Sequence, residues 1–167
     1  MFALGILTTG VLSAAAVMAA GMQNLASSPA DVLVTQKAAQ AIEAVFAARD
    51  SHRLTWAQIR NDAGESGHDN GVFLDDPQQL YLAGADGLVN TGDDEDEIES
   101  VTLPGKDRTL GTADDSLVTL VQYTRQITIR DVVGEAGQLR TVTVTMKYRS
   151  GTSERTYTLS TLISAYS

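Results

Sequence analysis

Residues 2–22 read FALGILTTGVLSAAAVMAAGM, a run of 21 residues from Phe2 to Met22 without one charge. At 1.5 Å rise per residue a helix of this length covers about 30 Å, the thickness of a bilayer's hydrocarbon core. The composition is Ala, Gly and Thr as much as Leu, and small residues let helices approach closely, which suits packing against protein as well as lipid. Gln23 to Ser28 is polar, and from Pro29 a mixed, soluble-looking sequence takes over.

Working outward, Ser28-Pro29-Ala30-Asp31 is a helix start. Ser28 caps free N–H groups, Pro29 suits the first helical position, and Asp31 brings negative charge to the first turn. Val34, Ala38, Ala41, Ile42 and Val45 recur at three- and four-residue spacing, so residues 29–50 are expected as an amphipathic helix. An apolar helix therefore runs into an amphipathic one, with a kink expected near Ser27–Pro29. Thr55 and Gln58 are spaced as a capping box and predict a short helix over Ser51–Asn61. Val72-Phe73-Leu74 and Leu80-Tyr81-Leu82 read as short strands. From Leu117 to Val133 the chain is rich in Val, Thr, Ile and Tyr. In residues 140–148 (RTVTVTMKY), Val142, Val144, Met146 and Tyr148 alternate with Thr141, Thr143, Thr145 and Lys147. These runs and residues 155–163 (RTYTLSTLI) predict an antiparallel meander over 117–164, apolar on one face and covered there by the helix.

The chain has 12 basic and 21 acidic residues and no cysteine, for a net charge of −9. That balance speaks against nucleic acid or an anionic membrane surface as partner, and no disulfide or thiolate chemistry is available. The acidity is local: between Gly84 and Asp115 ten acids face Lys106 and Arg108, a net −8 in 32 residues. Within it lies an ungapped repeat of period 21. Gly84, Asp86, Thr91, Asp93 and Asp94 recur as Gly105, Asp107, Thr112, Asp114 and Asp115, giving Gly-x-Asp-x-x-x-x-Thr-x-Asp-Asp. Calcium takes six to eight oxygens, which flexible Asp- and Gly-rich loops supply most readily. The candidate metal ligands are Asp86, Asn90, Asp93 and Asp94 in the first copy and Asp107, Asp114 and Asp115 in the second. Arg108 stands where the first copy has Gly87, and neither copy fits the EF-hand loop. The competing reading is two solvated β-turns whose Asp and Gly serve turn geometry alone. His52 and His68 are the only histidines, and neither sits in a recognisable catalytic setting. No catalytic residue is assigned, and the chain is expected not to be an enzyme.

The run from Met1 to Leu12 resembles the N-terminal helix of type IV pilins and type II secretion pseudopilins just after their processing motif. The family's basic leader ending in Gly, its N-terminal Phe and its Glu are absent here, so the expectation is that Met1 is internal and the true start lies upstream. The resemblance implies an α+β, pilin-like fold: residues 1–28 as a transmembrane or filament-core helix, and 29–167 as a globular head on an antiparallel β-meander. It implies a minor pilin or pseudopilin, held in the bacterial inner membrane before assembly into an extracellular or periplasmic filament. Its partners would be other such subunits. Two other readings make the segment a plain anchor, or a signal peptide that lacks its positive n-region. Under either, the protein is a membrane-anchored or secreted calcium-binding adhesion module.

Overall fold

A computed structural model describes residues 29–135 and 137–166, so the expected apolar helix and the kink before Pro29 lie outside the described residues. Residues 29–50 are helical (α1), roughly 33 Å of helix. Six strands follow: β1 Gln78–Gln79, β2 Ser100–Leu103, β3 Ser116–Thr119, β4 Tyr123–Asp131, β5 Leu139–Ser150 and β6 Ser153–Ser164. The protein is thus α+β, with one helix among the described residues and antiparallel sheets. That helix is not long, and no helix among the described residues is long and apolar enough to cross a membrane.

The main sheet has the order β1-β4-β5-β6, all neighbours antiparallel. Its register places Ile127 opposite Val144 and Val144 opposite Leu159, and Ile129 opposite Val142. Since side chains alternate with period two, this register turns Ile127, Ile129, Val142, Val144 and Met146 together onto one face, where all are buried. The expected helical stripe, Val34, Ala38, Ala41, Ile42 and Val45, is buried in the same core. Ala38 and Ala41 are small enough to bring the helix axis close to the pleated surface. Asp31 has a further task beyond the helix N-terminus: it accepts a hydrogen bond from the Tyr148 hydroxyl at 2.5 Å and pairs with Arg155 at 3.2 Å. The first turn of α1 is thereby tied to β5 and β6.

Three local expectations need correction. Ser51–Asn61 forms turns, not a helix. The Thr55–Gln58 contact is present, with the Thr55 N–H and hydroxyl both donating to Gln58 Oε1 at 2.9 Å. However, the carbonyls of Trp56 and Ile59, which a helix would use internally, accept from the Arg140 guanidinium instead. Val72–Leu74 is no strand: Phe73 makes only isolated bridges, to Asn61 and Thr91, and the ladder expected at Leu80–Leu82 falls at Gln78–Gln79. The sheet predicted over 117–164 begins at Tyr123. Residues 116–119 instead pair with β2 as a separate two-stranded ribbon. The break is anchored by Leu120, which is buried and donates its N–H to the Glu99 carbonyl at 2.9 Å.

Beyond its two pairs with β1, the outer edge of β4 is closed by asparagine side chains. Asn61 Nδ2 donates to the Ile127 carbonyl at 2.8 Å, and Asn61 Oδ1 accepts from the Ile129 N–H at 2.7 Å. Asn90 Nδ2 donates to the Arg125 carbonyl at 2.7 Å. A primary amide offers the same donor and acceptor as a peptide unit, so Asn61 stands in for a missing strand residue, while Asn90 supplies the strand with a donor alone. Asn61 and Asn90 are both buried. They fix the 60–75 and 84–99 segments against the sheet.

Candidate functional site: the repeated acidic loops

The two copies of the Gly-x-Asp-x-x-x-x-Thr-x-Asp-Asp repeat fold alike and share a set of hydrogen bonds. In the first, Asp86 Oδ1 accepts from the Leu88 N–H at 2.7 Å, closing an Asx-turn; in the second, Asp107 Oδ1 accepts from the Thr109 N–H at 2.8 Å. Asp93 Oδ2 accepts from the Asp86 N–H at 3.1 Å, and Asp114 Oδ2 from the Asp107 N–H at 3.4 Å. Asp94 Oδ2 accepts from the Asn90 N–H at 2.7 Å, and Asp115 Oδ2 from the Gly111 N–H at 2.6 Å. The threonine hydroxyl reaches both terminal acids in each copy: Thr91 to Asp93 and Asp94 at 2.9 Å, Thr112 to Asp114 at 2.7 Å and Asp115 at 3.4 Å. All five residues of the repeat frame thus have a local task, since the remaining one, glycine, is demanded by space. A Cβ on Gly84 would sit 2.0 Å from the Asp93 carbonyl oxygen, and one on Gly105 would sit 2.2 Å from the Asp114 carboxylate.

Backbone conformation repeats too. Gly87 and Arg108 share a left-handed φ, at 68° and 59°, and so do Asn90 and Gly111, at 62° and 88°. The repeat therefore encodes a loop in which carboxylates satisfy backbone N–H groups that neither helix nor sheet supplies with partners.

The copies differ in what they touch. The second is exposed, whereas the first is tied to the core through Asn90 and Thr91, both buried. Asn90 Oδ1 accepts from Arg125 Nε at 2.7 Å. The Arg125 side chain is only 2% exposed and pairs with Glu99 at 3.1 Å; Glu99 in turn meets Lys37 of α1 at 2.5 Å. Helix, loop and sheet thus meet at one buried carboxylate held between two cations. Arg53 adds an outer tie, donating to the Asp86 carbonyl at 2.8 Å.

These bonds set the ionisation. The Thr91 hydroxyl and then the Asp86 N–H hold the Asp93 carboxyl below its ordinary range. Asp114 is lowered chiefly by the Thr112 hydroxyl, and Asp115 chiefly by the Gly111 N–H. Asp94 moves the other way, because burial raises it more than the Asn90 and Thr91 donors lower it. Burial likewise lowers Arg125, against the opposing pull of Glu99.

Of the residues the sequence nominates for calcium, the fold gathers Asp86, Asp93 and Asp94 around the first loop's backbone, and Asp107, Asp114 and Asp115 around the second's. The Asn90 amide is turned inward, with both its ends engaged by Arg125. Among the described residues, no three Asp, Glu or His side chains are grouped to hold a metal ion. The Lys37–Glu99–Arg125 chain was not foreseen, and no local signal marks it, since its members lie far apart in sequence. Arg125 standing at an inward-facing strand position, in phase with Ile127 and Ile129, is the one hint available. No family model matches the chain, and neither the curated proteins nor the solved structures compared with it include a match.

Proposed function

We propose that the chain is a structural subunit, a minor pilin or pseudopilin, of a type IV pilus-like filament or type II secretion pseudopilus. Its work is assembly through the Phe2–Met22 segment, with the inner membrane as its location beforehand and other subunits as its partners. One observation carries the reading: six residues after the uncharged run of the sequence, residues 29–50 form a helix whose stripe of Val34, Ala38, Ala41, Ile42 and Val45 is buried in the core with the antiparallel sheet. The small residues of that segment suit close packing between identical helices. The test is extraction of bacterial membranes holding the full chain: retention through alkaline carbonate and release by detergent support the proposal. Recovery in the soluble fraction, uncleaved, contradicts it.

The second reading, a membrane-anchored or secreted calcium-binding adhesion module, is favoured by the concentration of charge, −8 across residues 84–115. A bound cation would relieve that repulsion. Ligand bound to the folded state alone raises the melting temperature. An increase in millimolar calcium, reversed by chelator, supports this reading. An unchanged value leaves both repeats as loops closed by their own carboxylates.

A further inference from the structure

The two edges of the main sheet are finished differently. Beyond β1, the edge of β4 is met by the Asn61 and Asn90 amides. The other edge is β6, paired to β5 without a bulge from Ser153 to Ser164. The Ala165 N–H donates to the Gln138 carbonyl at 2.8 Å and continues that ladder. Bonded residues alternate along an antiparallel pair, so Tyr157, Leu159, Thr161 and Ile163 bond to β5, while Thr156, Thr158, Ser160 and Leu162 turn their N–H and C=O groups away from it. Among the described residues, nothing partners those outward groups. Sheet edges are ordinarily protected by Lys, Pro or a bulge. From Thr156 to Ser164 the strand has none of these and no charge. Its core-facing side is open as well: Tyr157 and Leu159 are half-buried, whereas Met146 and Val144 opposite them on β5 are fully buried.

We infer that this edge is an interface between two copies of the chain, joined β6 to β6 across a two-fold axis so that their four-stranded sheets become one. The inference is independent of the assembly reading. About an axis at Ser160 the uncharged stretch Thr156–Ser164 pairs with itself, and Glu154 and Arg155 fall outside the ladder. Any such axis through a residue sets core-facing positions opposite core-facing positions, so the apolar layer continues across the join. The helix above the strand follows the same axis. Asp31 pairs with Arg155 at 3.2 Å near one end of β6, and Arg49 donates to the Ser164 carbonyl at 3.1 Å at the other. α1 therefore runs along β6, and Thr35, Ala39, Ile42 and Phe46 stand at helical spacing between these anchors, an uncharged flank. The axis lays two such flanks antiparallel, the Asp31 end of each toward the Arg49 end of the other, so the charges at the two ends are complementary. An unrelated strand gains the backbone bonds alone; a second copy gains the helix flank too. Strand rise and layer spacing give this edge about 30 Å by 20 Å, roughly 600 Å² per copy. A stable interface covers about 600–1,000 Å² per partner.

Because the sequence contains no cysteine, single introduced thiols report the pairing without background. Full-length chains carrying Thr158→Cys, Leu159→Cys, Ser160→Cys or Thr161→Cys are oxidised in detergent, and the disulfide-linked dimer is measured. In a two-fold antiparallel ladder only the residue on the axis faces its own mate; the mates of its neighbours are displaced along the strand by about 7 Å. One position should therefore yield at least tenfold more dimer than those beside it. Leu162→Pro removes an outward N–H, which an edge strand tolerates, and should lower that yield at least tenfold. Leu162→Lys should do the same, and it carries the test if the proline variant loses the parent's near-ultraviolet circular dichroism. Thr128→Lys, on the same sheet face but on β4, should leave the yield within twofold. Equal yields at all four positions, or no dimer at any, overturn the inference. So does slow hydrogen exchange at the Thr156, Thr158, Ser160 and Leu162 amides in a chain that sediments as a monomer, because the edge is then covered from within its own chain. None of these results bears on the assembly reading, which fails or stands by membrane extraction.

Discussion

Arg108 holds a φ of 59° at the repeat position where the first loop has a glycine. A left-handed conformation costs an ordinary L residue roughly 1–2 kcal/mol, and glycine escapes that cost. Arg108→Gly should therefore stabilise the protein by about 1 kcal/mol in urea denaturation, part of the gain being offset by the looser unfolded chain. Gly84→Ala should destabilise it, because its Cβ has no room beside the Asp93 carbonyl. The acids of the repeats also have a pH signature. Asp93, Asp114 and Asp115 have folded values depressed below the ordinary carboxyl value of about 3.9. Their contribution is fully present above that unfolded value and is lost as pH falls through the folded values. Asp94 is raised, so its cost to the fold disappears on acidification. With three groups against one, stability should fall below about pH 4. The triple variant Asp93→Asn, Asp114→Asn, Asp115→Asn should show a flatter acid limb than the parent; an identical limb would remove these acids from the account.

At the level of elements, α1 and the strands follow from periodicity, which is why they were legible. The three-to-four spacing of Val34, Ala38, Ala41, Ile42 and Val45 and the two-residue alternation from Val142 to Tyr148 both ended buried as expected. Segments held by long-range polar bonds were not legible. Nothing near Ser51–Asn61 announces that Arg140, on β5, takes the carbonyls of Trp56 and Ile59. The repeat was visible as a pattern, but its meaning was split between metal ligation and turn geometry. The structure supplies the hydrogen bonds that the frame encodes, and calcium remains for the melting experiment. The Lys37–Glu99–Arg125 chain is where α1, the first loop and β4 depend on one another. Removing one partner of a buried ion pair strands the other, at a cost of about 3–5 kcal/mol. Here Lys37 still compensates Glu99, so Arg125→Ala should fall toward the lower end of that range in urea denaturation. Arg125→Lys should restore little, since an ammonium cannot satisfy Asn90, Glu99 and the Tyr81 carbonyl together as the planar guanidinium does. A cost within experimental error for both variants would mean that the buried pair does not couple these elements.

Across the whole molecule, apolar character is divided between two places. The core is closed by α1 on the sheet, and under the proposed function the uncharged run from Phe2 to Met22 is the part of the sequence that makes contacts between chains. The separation accounts for a head with its own buried core that is nevertheless preceded by a segment able to span about 30 Å of hydrocarbon. The measurement that bears most directly on this division compares the full chain with its Ala15→Arg variant by sedimentation and electron microscopy after detergent removal. A charge in the middle of the uncharged run should abolish assembly. The near-ultraviolet circular dichroism of the head should be unchanged. The predicted result is filaments of uniform width from the parent and dispersed subunits from the variant. Equal assembly by both chains, or none by the parent, would contradict the account.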